Sequence, residues 1–461
     1  MTTKYSIIGL GKLGASMAAA IASRGYDVIG VDVSQNIVKL LNEGHAPVQE
    51  TNLEETISLN KDRIWATLSH HEAILNSDVS FVVVPTPSDN LGAFSLQYAA
   101  WAFKEIGRAL AEKNKYHNIV LTSTVLPGAT RYGLLPILEQ ESGKKCGKDF
   151  GLCYSPEFIA LGSVINDFLH PDFTLIGEFD ECSGGQLENY YKQIMLKNPP
   201  CMRMSIENAE LTKISLNTFV TMKITFANML TEICRHIPGG NIDVVTNALG
   251  YDSRIGHKYL KGGLGYGGPC FPRDNVALGF IAKALGCEAG LAEKTDRMNR
   301  AIPVSIIKWL EDFMHKGTTV AILGLSYKPF SHVIEESQGI YIAKGLFNAG
   351  VRVIAYDPLA TKAAKKELAN YALVFDSLSD CLKDAEVILI CTPDLEFKNI
   401  DESYFQNETV TVIDFWRLLD KKFANKPKIN YIPFGHSIDD KSNSILMQKL
   451  WGNIYKIIQK K

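Results

Sequence analysis

The segment Tyr5-Ser6-Ile7-Ile8 runs directly into Gly9-Leu10-Gly11-Lys12-Leu13-Gly14, and that hexapeptide into the alanine-rich stretch ASMAAAIASRG. The apolar run suits a buried strand, and the alanine-rich segment closing on Gly25 suits a helix. A glycine turn between them confines this region to a strand–turn–helix unit. The next strand, YDVIGVDV, carries Asp32 near its end, eighteen residues past Gly14. The glycines permit a tight turn and close backbone approach, the helix N-terminus receives a pyrophosphate, and Asp32 is placed to bind ribose hydroxyls. The hexapeptide alone also fits a glycine turn in a non-binding domain; its two flanks and the acid favour a dinucleotide site. An acid rather than an arginine at that position favours NAD over NADP.

Further apolar runs, FVVVPTP (81–87), NIVLTST (118–124) and FGLCYSP (150–156), end in polar or turn residues and are separated by helical segments such as 96–112. Strands alternating with helices predict a parallel, doubly wound sheet. Ligands sit at the ends of such strands, so VPTP (84–87) and TSTVLPG (122–128) read either as cofactor contacts or as plain polar exits. Residues 207–236 contain no Gly or Pro and space their apolar residues helically, predicting one long helix between two halves. TTVAILGLSYKP (318–329) then restarts the pattern, with a helix expected from Glu335 onward and strands in VRVIAYDP (351–358), AEVILICTP (385–393) and TVTVIDFWR (409–417). The halves share an architecture without a residue-level repeat.

At 461 residues the chain exceeds one ordinary core. Its net charge of −2 lacks the basic excess of a nucleic-acid-binding surface. Nine cysteines, at 146, 153, 182, 201, 234, 270, 287, 381 and 391, form no C-x-x-C, and the histidines form no H-x-x-x-H pair. This predicts no metal, no disulfide framework and a reducing compartment. No uninterrupted apolar stretch reaches 18 residues, so a cytoplasmic protein without a membrane span is expected.

The stretch GGLGYGGPCFPRDN (262–275) asks for a chemical explanation, with five glycines in seven positions before Pro269, Cys270 and Asp274. A thiolate is a strong nucleophile towards carbonyls, and glycine-rich backbone lets an anionic ligand press against exposed amides. A nicotinamide cofactor combined with a nucleophilic cysteine suggests oxidation of an aldehyde through a thioester, which then needs water and a base. Glu157 follows a strand, and Lys213 and Asn217 stand four apart on one helix face. Taken singly, Glu157 reads as a solvated loop residue and the Lys213–Asn217 pair as a wet helix face.

Together the segments resemble the UDP-glucose/GDP-mannose dehydrogenase family over nearly the whole chain. In order, they are GLGKLG, VPTP, STVLPG, SPEF, AELTKISLN with KITFAN, RIG (254–256), GLGYGGPCFPRD, GLSYKP and EES (335–337). The resemblance implies two Rossmann-like, doubly wound domains joined by a long central helix and a helical dimerisation region. The expected boundaries are an NAD-binding domain at 1–200, a central domain with the cysteine loop at 201–315, and a nucleotide-sugar domain at 316–461. It also implies a homodimer or higher homo-oligomer. The implied reaction is the four-electron oxidation of a nucleotide-sugar C6 alcohol to a uronic acid for polysaccharide biosynthesis, using two NAD per substrate, with UDP-glucose the first choice.

By the same resemblance Cys270 is the nucleophile that captures the aldehyde as a thiohemiacetal and carries the thioester. Lys213 and Asn217 stabilise oxyanion character, Asp274 partners the cysteine, Glu157 serves thioester hydrolysis, and Thr124 completes the catalytic set. NAD is expected at Gly9, Gly11, Lys12, Leu13, Gly14, Asp32, Thr86, Pro87, Ser123, Thr124 and Lys328. The nucleotide sugar is expected at Glu157, Phe158, Lys213, Arg254, Tyr259, Gly263, Gly265, Gly267, Lys328 and Arg417, with Arg254 reaching across the dimer interface.

Four positions depart from the family pattern: Leu161 and Met229 replace glutamates, Phe173 replaces an arginine, and Arg273 replaces the lysine of C-F-P-K-D. They leave the sugar open between UDP-glucose, GDP-mannose and a UDP-N-acetyl-hexosamine. The other readings are a two-electron dehydrogenase on this scaffold and a nucleotide-sugar or NAD sensor without turnover.

Overall fold

The computed structural model describes residues 3–424 and 426–452. The chain divides into two compact units, one formed by 1–216 with 280–287 and the other by 217–279 with 288–461. The first division falls inside the long helix Ile206–Arg235.

The first unit is built on strands β1 (Tyr5–Ile8), β2 (Val28–Val31), β3 (Ile64–Thr67), β4 (Val79–Val82), β5 (Asn118–Leu121), β6 (Gly151–Tyr154), β7 (Thr174–Glu178) and β8 (Cys201–Ser205), in sheet order 3-2-1-4-5-6-7-8. β1 to β6 pair in parallel, with Tyr5 opposite both Val28 and Val79; β7 turns antiparallel to β6. β1, β2, β4, β5 and β6 are buried along their whole length, as strands covered by helices on both faces must be. Strand order reverses beside β1, so the glycine turn after β1 and the exits of β4, β5 and β6 share one edge of the sheet.

In the second unit β9 (Thr319–Leu323), β10 (Arg352–Tyr356), β11 (Leu373–Val374), β12 (Val387–Ile390), β13 (Val410–Asp414) and β14 (Ile429–Pro433) form a parallel sheet in order 11-10-9-12-13-14. It repeats the order of β1 to β6. The correspondence extends to atoms that the sequence did not reveal as a repeat. Gly9 and Gly324 both leave the first strand with left-handed φ of 97° and 98°. The next residue's N–H donates to the acid ending the second strand, Leu10 to Asp32 at 2.9 Å and Leu325 to Asp357 at 2.8 Å. A Cβ on Gly14 would lie 1.8 Å from the Gly9 carbonyl oxygen, and one on Gly339 would lie 2.3 Å from that of Gly324.

The helix expected from Glu335 begins only at Gln338. Glu336 sits at a φ of 53°, and the Glu335 carbonyl is occupied by the Gly268 N–H at 2.9 Å, so the backbone there serves the glycine loop. The long helix ends on Arg235, whose guanidinium lies over the adjoining rings of Trp309 at 4.1 Å and Phe434 at 4.7 Å.

A polar cluster lies where β4 and β5 begin. His117 Nδ1 lies 3.2 Å from the Ser77 carbonyl and Nε2 lies 2.7 Å from Ser80 Oγ, which fits a neutral ring donating through Nδ1. Burial, reinforced by the neighbouring Lys113 charge, pushes His117 down to about 3 from 6.5. Below pH 6.5 the unfolded chain therefore binds a proton that the folded chain refuses. Stability should fall by up to about 1.4 kcal/mol per pH unit from 6.5 downwards through this residue. His117→Asn should flatten that acid limb, measured by urea unfolding across a pH series.

Candidate active site

In the first unit each glycine of the hexapeptide has its own reason. Gly9 needs its left-handed φ and lies against the Val83 carbonyl, where a Cβ would stand 2.7 Å away. Gly14 lets the helix Lys12–Ser23 touch the turn. Gly11 is the N-cap, and a Cβ placed there would meet nothing within 4 Å, which leaves open space at the helix N-terminus. That bare backbone fits a pyrophosphate. Asp32 already accepts from Leu10 N and Ser34 N, both at 2.9 Å, and an ionised carboxylate has lone pairs left for ribose hydroxyls. The residues present therefore fit NAD. Lys12 and Leu13 open the helix, and burial lowers the Lys12 pKa, opposed by Glu50.

After β4, Thr86 is buried and donates to the Thr124 carbonyl at 2.7 Å, while Pro87 is exposed beside it. Ser123 donates to the Val84 carbonyl at 2.6 Å. These bonds tie the exits of β4 and β5 together at the cofactor edge.

The corresponding acid of the second unit is closed. Asp357 is 2% exposed and accepts from Leu325 N, Ser326 N, Ser326 Oγ, Leu359 N and Ala360 N. With both oxygens saturated it cannot offer a ribose what Asp32 can.

After β6, the Lys213 ammonium donates to the Glu157 carbonyl oxygen and lies 4.6 Å over the Phe158 ring, a contact of about 0.5–2 kcal/mol. Phe158 in turn packs on Phe173 with ring centroids 4.8 Å apart. The departure at 173 thus backs the ring that carries the lysine. Withdrawal from water pushes the Glu157 carboxyl up to about 7, against the opposing pull of Lys213. A carboxyl poised there exchanges protons at neutral pH.

The second unit holds the thiol. Cys270 is exposed, and its carbonyl accepts from Asp274 N at 2.9 Å, opening the helix Phe271–Ala284. Backbone N–H groups at a helix start favour negative charge nearby. Asp274 is 1% exposed and accepts from Asn217 Nδ2 at 2.6 Å. Asn217 is one turn along the long helix from Lys213.

Three asparagines that sequence reasoning missed shape this loop. Asn228 accepts from Gly263 N at 2.9 Å and donates to the Leu264 carbonyl at 3.1 Å. Asn299 does the same to both backbone groups of Tyr266, each at 2.9 Å. Asn275 donates to Tyr266 OH and Thr221 Oγ1, both at 3.0 Å. For Asn228 the available signal was the polar series Lys213, Asn217, Thr221 and Asn228 on one face of the long helix.

The loop glycines have a different cause from the one expected. Side chains at Gly263, Gly265 and Gly267 would strike the Trp416 ring at 2.9 Å, Asn299 Oδ1 at 2.4 Å and the Glu336 carbonyl at 2.3 Å. Protein fills that space, so packing rather than an anion pressed on bare amides demands glycine at these three positions.

Arg417 is also corrected. It is buried, and its five N–H groups are all taken, by Asp243, Phe415, Phe434 and Gly262, leaving no donor for a substrate. Lys328 is half-buried in the loop after β9, its ammonium 5.7 Å from the Tyr327 ring. Arg254 is exposed and paired with Asp252 at 2.6 Å, and Tyr259, at φ 61°, packs edge-on to Phe271.

Gly14→Ala should abolish dinucleotide binding, because the added methyl displaces the helix from the turn that it shares with the pyrophosphate site. Asp32→Ala should weaken NAD binding about tenfold or more while leaving nucleotide-sugar binding intact, read by calorimetry with each ligand.

Comparison with known proteins agrees with this geometry. Residues 3–195, 207–301 and 321–421 match the NAD binding domain, the central domain and the UDP binding domain of the UDP-glucose/GDP-mannose dehydrogenase family. The chain is 35% identical to UDP-glucose 6-dehydrogenase AglM of Haloferax volcanii, covering 91% of this chain and 98% of that one. It is 34% identical to GDP-mannose 6-dehydrogenase of Pseudomonas putida, covering 86% and 92%. The structure of a UDP-glucose dehydrogenase from Pyrobaculum islandicum superposes with a TM-score of 0.86 at 31% identity, covering 95% of this chain and 98% of that one. Three successive domain matches, relatives of 34–35% identity along most of the chain, and a nicotinamide fingerprint with an available acid place the chain in the UDP-glucose/GDP-mannose dehydrogenase family, as an NAD-dependent nucleotide-sugar 6-dehydrogenase.

Proposed function

We propose that the substrate is UDP-glucose and that its C6 alcohol is carried to the carboxylate through covalent adducts on Cys270. The observation that carries this reading is the exposed thiol at the start of a helix, at the end of a loop pinned by side-chain amides. Bound NAD supplies the two-electron sink that each of the two oxidations requires. Lys213 and Asn217 donate to the oxygen on C6, stabilising the alkoxide and later the oxyanion of the hemithioacetal. The Cys270 sulfur adds to the aldehyde carbon, and loss of the second electron pair leaves a thioester. Glu157 takes a proton from water as the water oxygen bonds to C6. The C–S bond then breaks, returning the thiol and releasing the uronate. A carboxyl near 7 suits that step, since it is basic enough to take the proton and largely ionised just above neutrality.

UDP-glucose is favoured over GDP-mannose by the structural relative from Pyrobaculum islandicum, and over a UDP-N-acetyl-hexosamine by the C-F-P-x-D pattern at 270–274. The GDP-mannose reading rests on relatives of nearly equal identity. The same proposal includes a homodimer that presents the exposed Arg254 to a neighbouring substrate. The exposed Phe219, Phe226, Met229 and Ile233 of the long helix support it. It also includes a reducing cytoplasmic setting, supported by nine scattered cysteines with no C-x-x-C spacing.

Cys270→Ser should bind NAD and sugar yet release no uronate. Glu157→Gln should accumulate a covalent sugar adduct on Cys270, seen as a mass increase of the intact protein. Absence of any adduct under trapping conditions would contradict the thioester. Because Glu157 must be ionised to act, the hydrolytic step should slow about tenfold per pH unit below its pKa of about 7 and level off above it. Single-turnover uronate release against pH reads this directly.

A further inference from the structure

Arg417 is too well satisfied to bind a ligand, and what it holds points to another task. Its Nε and Nη2 form a two-pronged pair with Asp243 at 2.8 Å each, and Nη1 donates to the Phe415 carbonyl at 2.7 Å and the Phe434 carbonyl at 2.9 Å. The remaining Nη2 hydrogen goes to the Gly262 carbonyl at 2.8 Å. Gly262 is the first residue of the loop that ends on Cys270, so one guanidinium ties the loop's origin to the exits of β13 and β14.

The surrounding chain is shaped to present that guanidinium. Arg417 adopts a left-handed φ of 54°, which costs a non-glycine residue energy and persists only where its surroundings impose it. Asp414 imposes it, accepting from Trp416 N at 3.0 Å and Leu419 N at 2.9 Å and so folding the turn around Arg417. Asp243 is fixed from the other side. It sits in the first turn of the helix Ile242–Gly250, whose start is bound to the segment after β14 by Ile242 N donating to the Gly435 carbonyl at 3.1 Å. Burial would raise the Asp243 carboxyl, but the hydrogen bonds and charge of Arg417 hold it below its usual range.

Resting on the thioester reading above, we propose that the Arg417–Asp243 pair is a positioning device for the nucleophile, fixing the Gly262 end of the loop so that Cys270 is presented in one place. Asn228 holds the loop at 263 and 264, Asn299 holds it at 266, and the Glu335 carbonyl holds it at 268. Arg417 is the anchor at its root. A lysine cannot replace it, because one ammonium cannot span a carboxylate and three carbonyls in a planar fork.

The test begins with the wild-type protein free of substrate. Iodoacetamide should modify Cys270 and abolish turnover in parallel; if full Cys270 modification leaves turnover intact, the thioester reading fails whatever Arg417 does. Arg417→Lys should then change the rate of Cys270 alkylation in the absence of any ligand. It should also lower kcat on the order of tenfold to a hundredfold, with KM for UDP-glucose and NAD held within about twofold. Asp243→Asn keeps the shape and one acceptor and should shift the same quantities in the same direction, less far; it carries the comparison if Arg417→Lys does not fold. A raised KM for UDP-glucose with unchanged alkylation would make Arg417 a substrate contact and overturn the proposal. Unchanged alkylation with unchanged kcat would overturn it as well.

Discussion

In both sheets of this protein a helix packs within contact distance of the glycine carbonyl that follows the first strand. Gly14 meets the Gly9 carbonyl and Gly339 meets that of Gly324, at separations that admit no side chain. Each contact places a helix N-terminus, with its unpaired backbone N–H groups, over the edge where strand order reverses. The two sheets diverge at one acid. Asp32 keeps acceptor capacity, whereas Asp357 spends its own on five donors, so the same scaffold is open to a dinucleotide in one unit and sealed at the equivalent point in the other.

The thiol loop follows a related logic. A glycine-rich segment is costly to order, since glycine loses the most conformational freedom on folding. Here side-chain amides do the ordering. Asn228 and Asn299 each offer a donor and an acceptor and take the place of a neighbouring strand for the loop backbone. Asp274 is buried on Asn217, so the helix that follows Cys270 is tied to the long helix Ile206–Arg235. The glycines let these partners come close, and the close partners leave Cys270 as an exposed end point.

Much of this was legible because it rests on local chemistry. The hexapeptide, its strand and Asp32 form a contiguous pattern whose geometry leaves few alternatives, and the long gap-free helical stretch at 207–236 matches Ile206–Arg235 almost residue for residue. Edge and short strands were not legible: β3, with exposed Trp65, and β8, with no fully buried residue, lack the apolar run that marks a central strand. The late start of the helix at Gln338 was hidden too, because a partner 67 residues earlier in the chain, Gly268, fixes the Glu335 backbone. Arg417 shows the same limit. The family resemblance placed it at the nucleotide sugar, yet its partner Asp243 lies 174 positions away and no local pattern announces it.

The central claim is that a single site performs two successive oxidations on one carbon, with the thiol holding the intermediate between them. The most direct measurement is the amount of NADH formed per UDP-glucose consumed by purified protein at saturating NAD. Two NADH per sugar, with uronate as the product and no free aldehyde trapped by an added amine, is the result that this account predicts. One NADH per sugar, with aldehyde accumulating in solution, would contradict it and reduce Cys270 to a residue of the loop rather than the nucleophile.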